Sequence, residues 1–220
     1  MQPSYKPNPS VVQQLAQVDM IAAVGPTGVG KTTIMEHSGL PFVVTDVTRE
    51  PRKGEDNGVD YNFRNDYEQL MQEVENGEFV QYVIFQNGEF YGTKATSYPA
   101  SGPCTMAIIA SAVPTFYALG FRRMQPVYIL PPTYDEWMKR VKAHHDKDVP
   151  ARMVEAKSSL EAGLADTRYH FIVNDDLLYA TDIFKKLATG EQADHAAEQA
   201  ARGVALQLLT QIYIPSPAGM

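Results

Sequence analysis

The run Gly25-Pro26-Thr27-Gly28-Val29-Gly30-Lys31-Thr32 fits the spacing G-x-x-x-x-G-K-[ST], between a largely apolar segment and a helix-forming one. Glycines at this spacing let consecutive backbone N–H groups curl around phosphate oxygens, and a helix starting at Lys31 directs its positive end at the same anion. Lys31 then reaches the β- and γ-phosphates, and Thr32 offers its hydroxyl to a Mg²⁺ ion bridging them. A second cluster follows at Thr45-Asp46-Val47-Thr48-Arg49-Glu50-Pro51-Arg52. Pro51 keeps this segment extended, so Arg49 and Arg52 either converge on one phosphate as bidentate donors or form an exposed basic turn. A phosphate loop is shared by motors, switch GTPases and small-molecule kinases, so the acceptor side must decide between them.

Alternating strands and helices must position these residues. The pattern predicts a strand at Val18–Val24, a helix from Lys31 to His37 and a short strand at Phe42–Asp46, after Gly39 and Pro41 end the helix. Asp66 caps a helix running to Glu75, and Asn87-Gly88 joins strands Phe79–Gln86 and Glu89–Tyr91 as a two-residue hairpin turn. Strand Thr105–Ala110, a short helix near Thr115–Leu119 and strand Val127–Leu130 come next. A helix opening on the capping box Thr133-x-x-Glu136, a helix at about Pro150–Leu164, strand Tyr169–Val173 and helix Leu177–Leu187 complete the alternation. The expected fold is therefore α/β: a three-layer α/β/α core with a parallel sheet, an antiparallel lobe inserted at about residues 49–93, and a helical lid at about 139–160. Residues 1–17 read as a flexible leader, 18–190 as the main domain and 191–220 as a helical tail. The tail carries an apolar stripe at Ala201, Val204, Leu208 and Ile212, which either docks on its own domain or forms a homodimer contact.

Composition narrows the classes. At 220 residues, with 44% hydrophobic and 20% charged, the chain is an ordinary globular one. Nineteen Lys and Arg against 26 Asp and Glu give a net charge of −7, which opposes broad binding to nucleic-acid backbones. Cys104 is the single cysteine, which excludes an internal disulfide and a thiol-rich zinc site and fits a reducing cytoplasm. The longest uncharged stretch, Ala95–Phe121, is broken by Pro99, Gly102, Pro103 and Pro114 and reads as a buried strand with turns rather than a membrane span. Met1–Ser10 lacks the apolar block of a secretory signal.

Six segments together resemble the guanylate kinase family: Gly25–Thr33, Thr48–Glu55 (T-R-x-P-R-x-G-E), Gly58–Phe63 (G-x-D-Y-x-F), Gly77–Phe79, Tyr91–Thr93 and Val173–Asp176. Their order and spacing hold from about Met20 to Leu187, roughly three quarters of the chain. The resemblance implies a nucleoside monophosphate kinase using ATP and Mg²⁺, with Gly25, Thr27, Gly28, Val29, Gly30, Lys31, Thr32 and Thr33 around the donor phosphates and Asn174 near the ATP base. It implies that Arg49, Arg52, Tyr61 and Tyr91 hold the acceptor phosphate and that Thr45 and Thr93 donate to a guanine carbonyl. Arg140 and Arg152 match lid arginines that clamp the transferring group, with Lys142, His144 and His145 adding lid charge.

Two departures bear on the acceptor. Gln81 stands where the family has a glutamate that accepts from guanine, and an uncharged amide accepts more weakly. The family's strand aspartates are missing, because no Asp or Glu occurs from Phe90 to Tyr134. Asp46 either replaces that carboxylate near the metal or ends a strand. The lid is about three residues shorter than usual, which weakens water exclusion. Three readings follow: a GMP or dGMP kinase, a kinase for another or modified nucleoside monophosphate, and an inactive guanylate-kinase-like binding module.

Overall fold

The computed structural model describes residues 5–52, 54–145 and 149–213, with 144 and 145 described by their backbone alone. The first half of the chain carries α1 (Pro9–Leu15), β1 (Val18–Val24), α2 (Lys31–Ser38), β2 (Thr45–Val47), β3 (Tyr61–Phe63), α3 (Tyr67–Glu75), β4 (Phe79–Ile84) and β5 (Phe90–Lys94). There follow β6 (Gly102–Ala107), α4 (Val113–Tyr117), β7 (Arg123–Leu130), α5 (Tyr134–His145), α6 (Val149–Ala165), β8 (His170–Val173), α7 (Leu177–Thr189) and α8 (His195–Tyr213). Of the described residues, those within 5–20, 41–106 and 114–124 form one compact unit, and those within 21–40, 107–113 and 125–213 form a second. No helix among the described residues is long and apolar enough to cross a membrane.

One sheet has the order β6-β1-β7-β8, with β7 and β8 parallel. All seven residues of β1 are buried and all but Asp19 are apolar, so it reads as a central strand covered on both faces. The second sheet has the order β3-β2-β5-β4. There β2 runs parallel to β3 but antiparallel to β5, and β4 is antiparallel to β5. The inserted lobe is thus mixed rather than antiparallel throughout. The expected core strand at Phe42–Asp46 is corrected as well: Val47 pairs with both Phe63 and Tyr91, drawing Thr45–Val47 into the lobe, while Phe42 makes only a bridge to Thr105.

Three local expectations change for identifiable reasons. The hairpin after β4 uses a three-residue loop, closed by Gly88 N–H to Phe85 O and Phe85 N–H to Glu89 O, both 2.9 Å. Gly88 supplies its left-handed residue at φ +84, and Asn87 has no positive φ, so the two-residue turn is not formed. Asp66 stands at the N-cap of α3 but accepts from Arg64 Nε and Nη2 at 2.7 and 2.8 Å, leaving no side-chain cap bond. The leader is the third. Asn8 caps α1, Leu15 is fully buried, and Tyr5 donates to Phe79 O at 2.6 Å, so apolar burial and hydrogen bonds order residues 5–17. Residues 1–4 lie outside the described chain.

In the tail, α8 packs on α6 and β8 with Ala201, Ala205 and Leu208 buried, and Arg202 donates to Tyr169 O at 2.7 Å. Of the expected stripe, Val204 and Ile212 are half-buried.

Period-two alternation divides the lobe sheet into two faces. On one face Phe79 and Phe90 meet Leu70 and Val74 of α3, flanked by Tyr5, Tyr82 and Ile84. Gly92 lies between these rings: a Cβ there would sit 2.7 Å from Phe90 Cζ and 2.9 Å from Phe79 Cδ1. Gly92→Ala is therefore expected to cost about 1–3 kcal/mol through overpacking, read as a lowered urea midpoint with an unchanged slope. An unchanged midpoint would contradict this packing.

Candidate functional site

The loop between β1 and α2 is shaped by space as much as by glycine flexibility. A Cβ on Gly25 would sit 2.4 Å from Ile129 O, and one on Gly30 would sit 2.4 Å from Asn174 Nδ2. Both positions also have positive φ, +140 and +92. Three side chains donate to the loop's own carbonyls. Lys31 Nζ reaches Gly25 O at 2.7 Å and Pro26 O at 2.9 Å, Trp137 Nε1 reaches Thr27 O at 2.8 Å, and Asn174 Nδ2 reaches Val29 O at 2.8 Å. In a planar trans peptide the C=O and the following N–H point in opposite directions. Pinning these carbonyls therefore turns the N–H groups of Thr27, Gly28 and Gly30 away from the donors, which is how a backbone anion cradle is built.

Trp137 was not among the sequence candidates. It is 1% exposed on α5, whose Val141 and Arg140 also border Gly28. Its signal was available in principle, because a buried indole N–H must find an acceptor. Asn174, expected near a base, secures the loop through its bond to Val29 O. Thr32 and Thr33 are exposed at the first turn of α2.

The charges near this loop come from α5 and α6. Arg140 Nε pairs with Glu136 at 3.0 Å, and Arg152 with Glu155 at 3.2 Å. Arg152 Nε is buried without a hydrogen-bond partner among the described residues. Burial pushes the Lys31 ammonium down to about 8; Glu155 acts to raise it and Arg152 to lower it further. Lys31 and Arg152 are thus brought within electrostatic reach of each other. Lys142 is exposed, and the side chains of His144 and His145 lie outside the described residues.

The lobe unit holds the second group. Arg49 is 9% exposed, so it is not the exposed turn residue of the plainer reading. Its terminal nitrogens grip Glu55 at 2.6 and 2.8 Å, its Nε donates to Tyr91 Oη at 3.1 Å, and its guanidinium stacks 4.6 Å from the Tyr61 ring centre. The Glu55 hydrogen bonds raise the Arg49 pKa, and Arg49 in turn holds the Glu55 carboxyl below its ordinary range. Glu55 also accepts from the Arg52 backbone N–H at 2.7 Å, so it organises the whole R-x-x-R segment, a role not read from sequence. The Arg52 side chain reaches solvent.

Register places the remaining candidates in one row. Thr45 lies opposite Tyr61, Gln81 lies opposite Thr93, and the adjacent pair Asp46–Gly92 sets Thr45 across from Thr93. Tyr61, Thr45, Thr93 and Gln81 therefore share a face, and Tyr91, two residues from Thr93, shares it too. The α3 core covers the opposite face. Thr45 is 8% exposed and Thr93 0%, and Gln81 Nε2 donates to Thr93 Oγ1 at 3.4 Å. Asp46 points to the other face, where it accepts from Asn62 and Arg64 at 2.7 Å each; it is an ion-pair partner within the lobe. Among the described residues no cluster of three or more His, Cys, Asp or Glu could hold a metal.

A family model described as guanylate kinase matches residues 18–190. A guanylate kinase of Trichormus variabilis is 33% identical over 170 residues, 71% of this chain and 82% of that protein. One of Homo sapiens is 31% identical over 172 residues, 70% of this chain and 83% of that protein. The solved structure of a guanylate kinase from Anaplasma phagocytophilum superposes with a TM-score of 0.58 at 23% identity, covering 90% of this chain and 96% of that one, a likeness of fold.

The Lys31 shift has a testable sign. Between about pH 8 and its ordinary value of 10.5, the folded ligand-free protein binds fewer protons than the unfolded chain at Lys31, so this group's contribution to stability rises with pH there. A polyphosphate favours the charged ammonium and raises that pKa again. Calorimetry of Mg-ATP binding in buffers of differing ionisation enthalpy is expected to show proton uptake at about pH 9 and close to none at about pH 7. Equal uptake at both pH values would contradict a desolvated Lys31.

Proposed function

The chain belongs to the guanylate kinase family, and from that premise we propose that it transfers the γ-phosphoryl group of ATP to a guanine nucleoside monophosphate, GMP or dGMP. The observation that carries this reading is the phosphate loop itself. Its carbonyls are pinned by Lys31, Trp137 and Asn174, and two of its glycines have no room for a side chain. A fold that had kept only a protein-binding role would not need a desolvated lysine beneath such a loop.

In this reading the loop N–H groups and Lys31 bind the β- and γ-phosphates, and Arg140 and Arg152 offset the charge that spreads over the transferring group. The Nε of Arg152, which has no partner among the described residues, is a donor held in reserve for that charge. Magnesium fits here as an ion carried on the nucleotide: Thr32 offers one exposed hydroxyl, and no acidic cluster competes for the metal among the described residues. The Thr32 hydroxyl would be the protein's ligand to that ion, whose charge would offset part of the charge on the phosphates. On the acceptor side Arg49 has its terminal nitrogens on Glu55, so its task is to orient Tyr91 and lend fixed charge, and the guanidinium left to meet the acceptor phosphate is that of Arg52. The acceptor phosphate oxygen is the nucleophile, and positioning replaces a side-chain base.

Gln81 favours a second reading in which the acceptor carries another base, including a modified pyrimidine. A neutral amide accepts one N–H without the charge-assisted grip of a carboxylate, so guanine loses its advantage.

A panel of nucleoside monophosphates with ATP tests both readings: GMP or dGMP is expected to show the highest kcat/KM, and equal or better turnover of a pyrimidine monophosphate selects the second. Lys31→Ala is expected to abolish turnover while leaving the circular dichroism spectrum unchanged; retained turnover would contradict the mechanism. Gln81→Glu is expected to raise kcat/KM for GMP about 5- to 10-fold relative to a pyrimidine monophosphate, the scale of one charge-assisted hydrogen bond.

A further inference from the structure

One buried polar group beside the row of acceptor-side candidates has no role in the reading above. Tyr98, four residues beyond β5, is 4% exposed, and its hydroxyl lies 2.8 Å from Thr93 Oγ1. Thr93 is the one hydrogen-bond partner of that hydroxyl among the described residues. The segment is held firmly: Gln14 of α1 donates to the carbonyls of Ala95, Tyr98 and Pro99 at 3.0, 3.2 and 3.3 Å. The Tyr98 ring packs on Phe121 with centres 5.7 Å apart. Burial raises the phenol's pKa, so it remains a protonated donor.

The hydrogen-bond inventory of Thr93 then has one solution. A buried phenol with a single partner must give that partner its proton, because an unpaired buried O–H is costly. A threonine hydroxyl has two acceptor sites and one proton. Tyr98 fills the first site at 2.8 Å, and Gln81 fills the second with a longer bond of 3.4 Å. The Thr93 proton is left for an acceptor that the described protein does not supply.

We infer that Tyr98 is a positioning residue that holds Thr93 as a hydrogen-bond donor, selecting acceptor bases with a carbonyl at this point over bases with an amine. The inference rests on the kinase reading above and goes beyond it by adding a residue outside the family's motifs. Because Thr93 is wholly buried, the base reaches it once the half-buried Gln81 amide, the weaker of its two partners, turns aside. The Gln81 carbonyl oxygen can then accept from a ring N–H adjacent to the base carbonyl. That edge, a carbonyl beside an N–H, is common to guanine, hypoxanthine, uracil and thymine; adenine and cytosine present the reverse.

The test compares two acceptors in wild type and in Tyr98→Phe: GMP, and 2-aminopurine riboside monophosphate, which lacks the 6-oxygen but keeps the 2-amino group. Phenylalanine retains the ring packed on Phe121, so the fold is expected to survive, checked by the thermal midpoint. Wild type is expected to favour GMP in kcat/KM by at least about 10-fold, and Tyr98→Phe to lower that ratio to about 3-fold or less through KM for GMP, with KM for ATP unchanged. A merely structural role would weaken both acceptors alike. The same ratio in both proteins overturns the inference and leaves the kinase reading standing. A wild-type ratio near one overturns it without any variant, which keeps it falsifiable should Tyr98→Phe not fold. No turnover of any monophosphate by wild type overturns the kinase reading and this inference together.

Discussion

The structure depends first on the direction of four backbone carbonyls. Gly25, Pro26, Thr27 and Val29 each give their C=O to a side-chain donor from Lys31, Trp137 or Asn174. Because a peptide is planar and trans, fixing the carbonyls fixes the opposite N–H groups without any ligand present. A loop preorganised in this way spends no further ordering free energy when an anion arrives, which is the condition for backbone dipoles to stabilise developing charge effectively. It also accounts for the Lys31 shift. The ammonium is held under the loop by neutral carbonyls, so burial lowers its pKa until a polyanion restores a counter-charge.

The lobe solves a different problem, presenting polar groups on one face of a thin sheet while burying the other. The tripeptide Tyr91-Gly92-Thr93 does this with period two: Tyr91 and Thr93 share the face of the candidate row, and Gly92 leaves room behind for Phe79 and Phe90. The same alternation separates neighbours with very different fates. Thr45 joins the row, whereas Asp46, the next residue, turns into an ion-pair network with Arg64, which itself reaches Glu73 at 3.0 Å. That network lies on the face covered by α3. Removing one partner would leave a half-buried charge uncompensated, which gives it a structural task distinct from the row of polar groups on the other side.

Residues 5–17 extend this support. Tyr5 stacks edge-on against Tyr82 at 5.0 Å and donates to Phe79 O, while Gln14 ties down three carbonyls after β5. A segment that reads as polar and proline-rich thus becomes a brace for the lobe. The partners of the Tyr5 and Gln14 side chains are 74 to 85 residues away in sequence, a separation that no local pattern expresses.

By itself, the sequence determined the α/β alternation, the glycine-rich loop and its helix, and the residue types suited to phosphate, because these rest on local rules: glycine spacing, strand and helix periods, and caps. It also carried the alternative fates of Arg49, Asp46 and the tail without deciding among them. Tertiary structure decided that β2 belongs to the lobe, that Glu55 organises Arg49, that Asp46 faces away from Thr45, that Trp137 donates to the loop, and that the Tyr98 hydroxyl lies against that of Thr93. Each of these outcomes turns on which distant group satisfies a buried polar atom or pairs with a three-residue strand. That competition is settled only when the whole chain has packed, since the free energy of an unpaired buried donor depends on every neighbour at once.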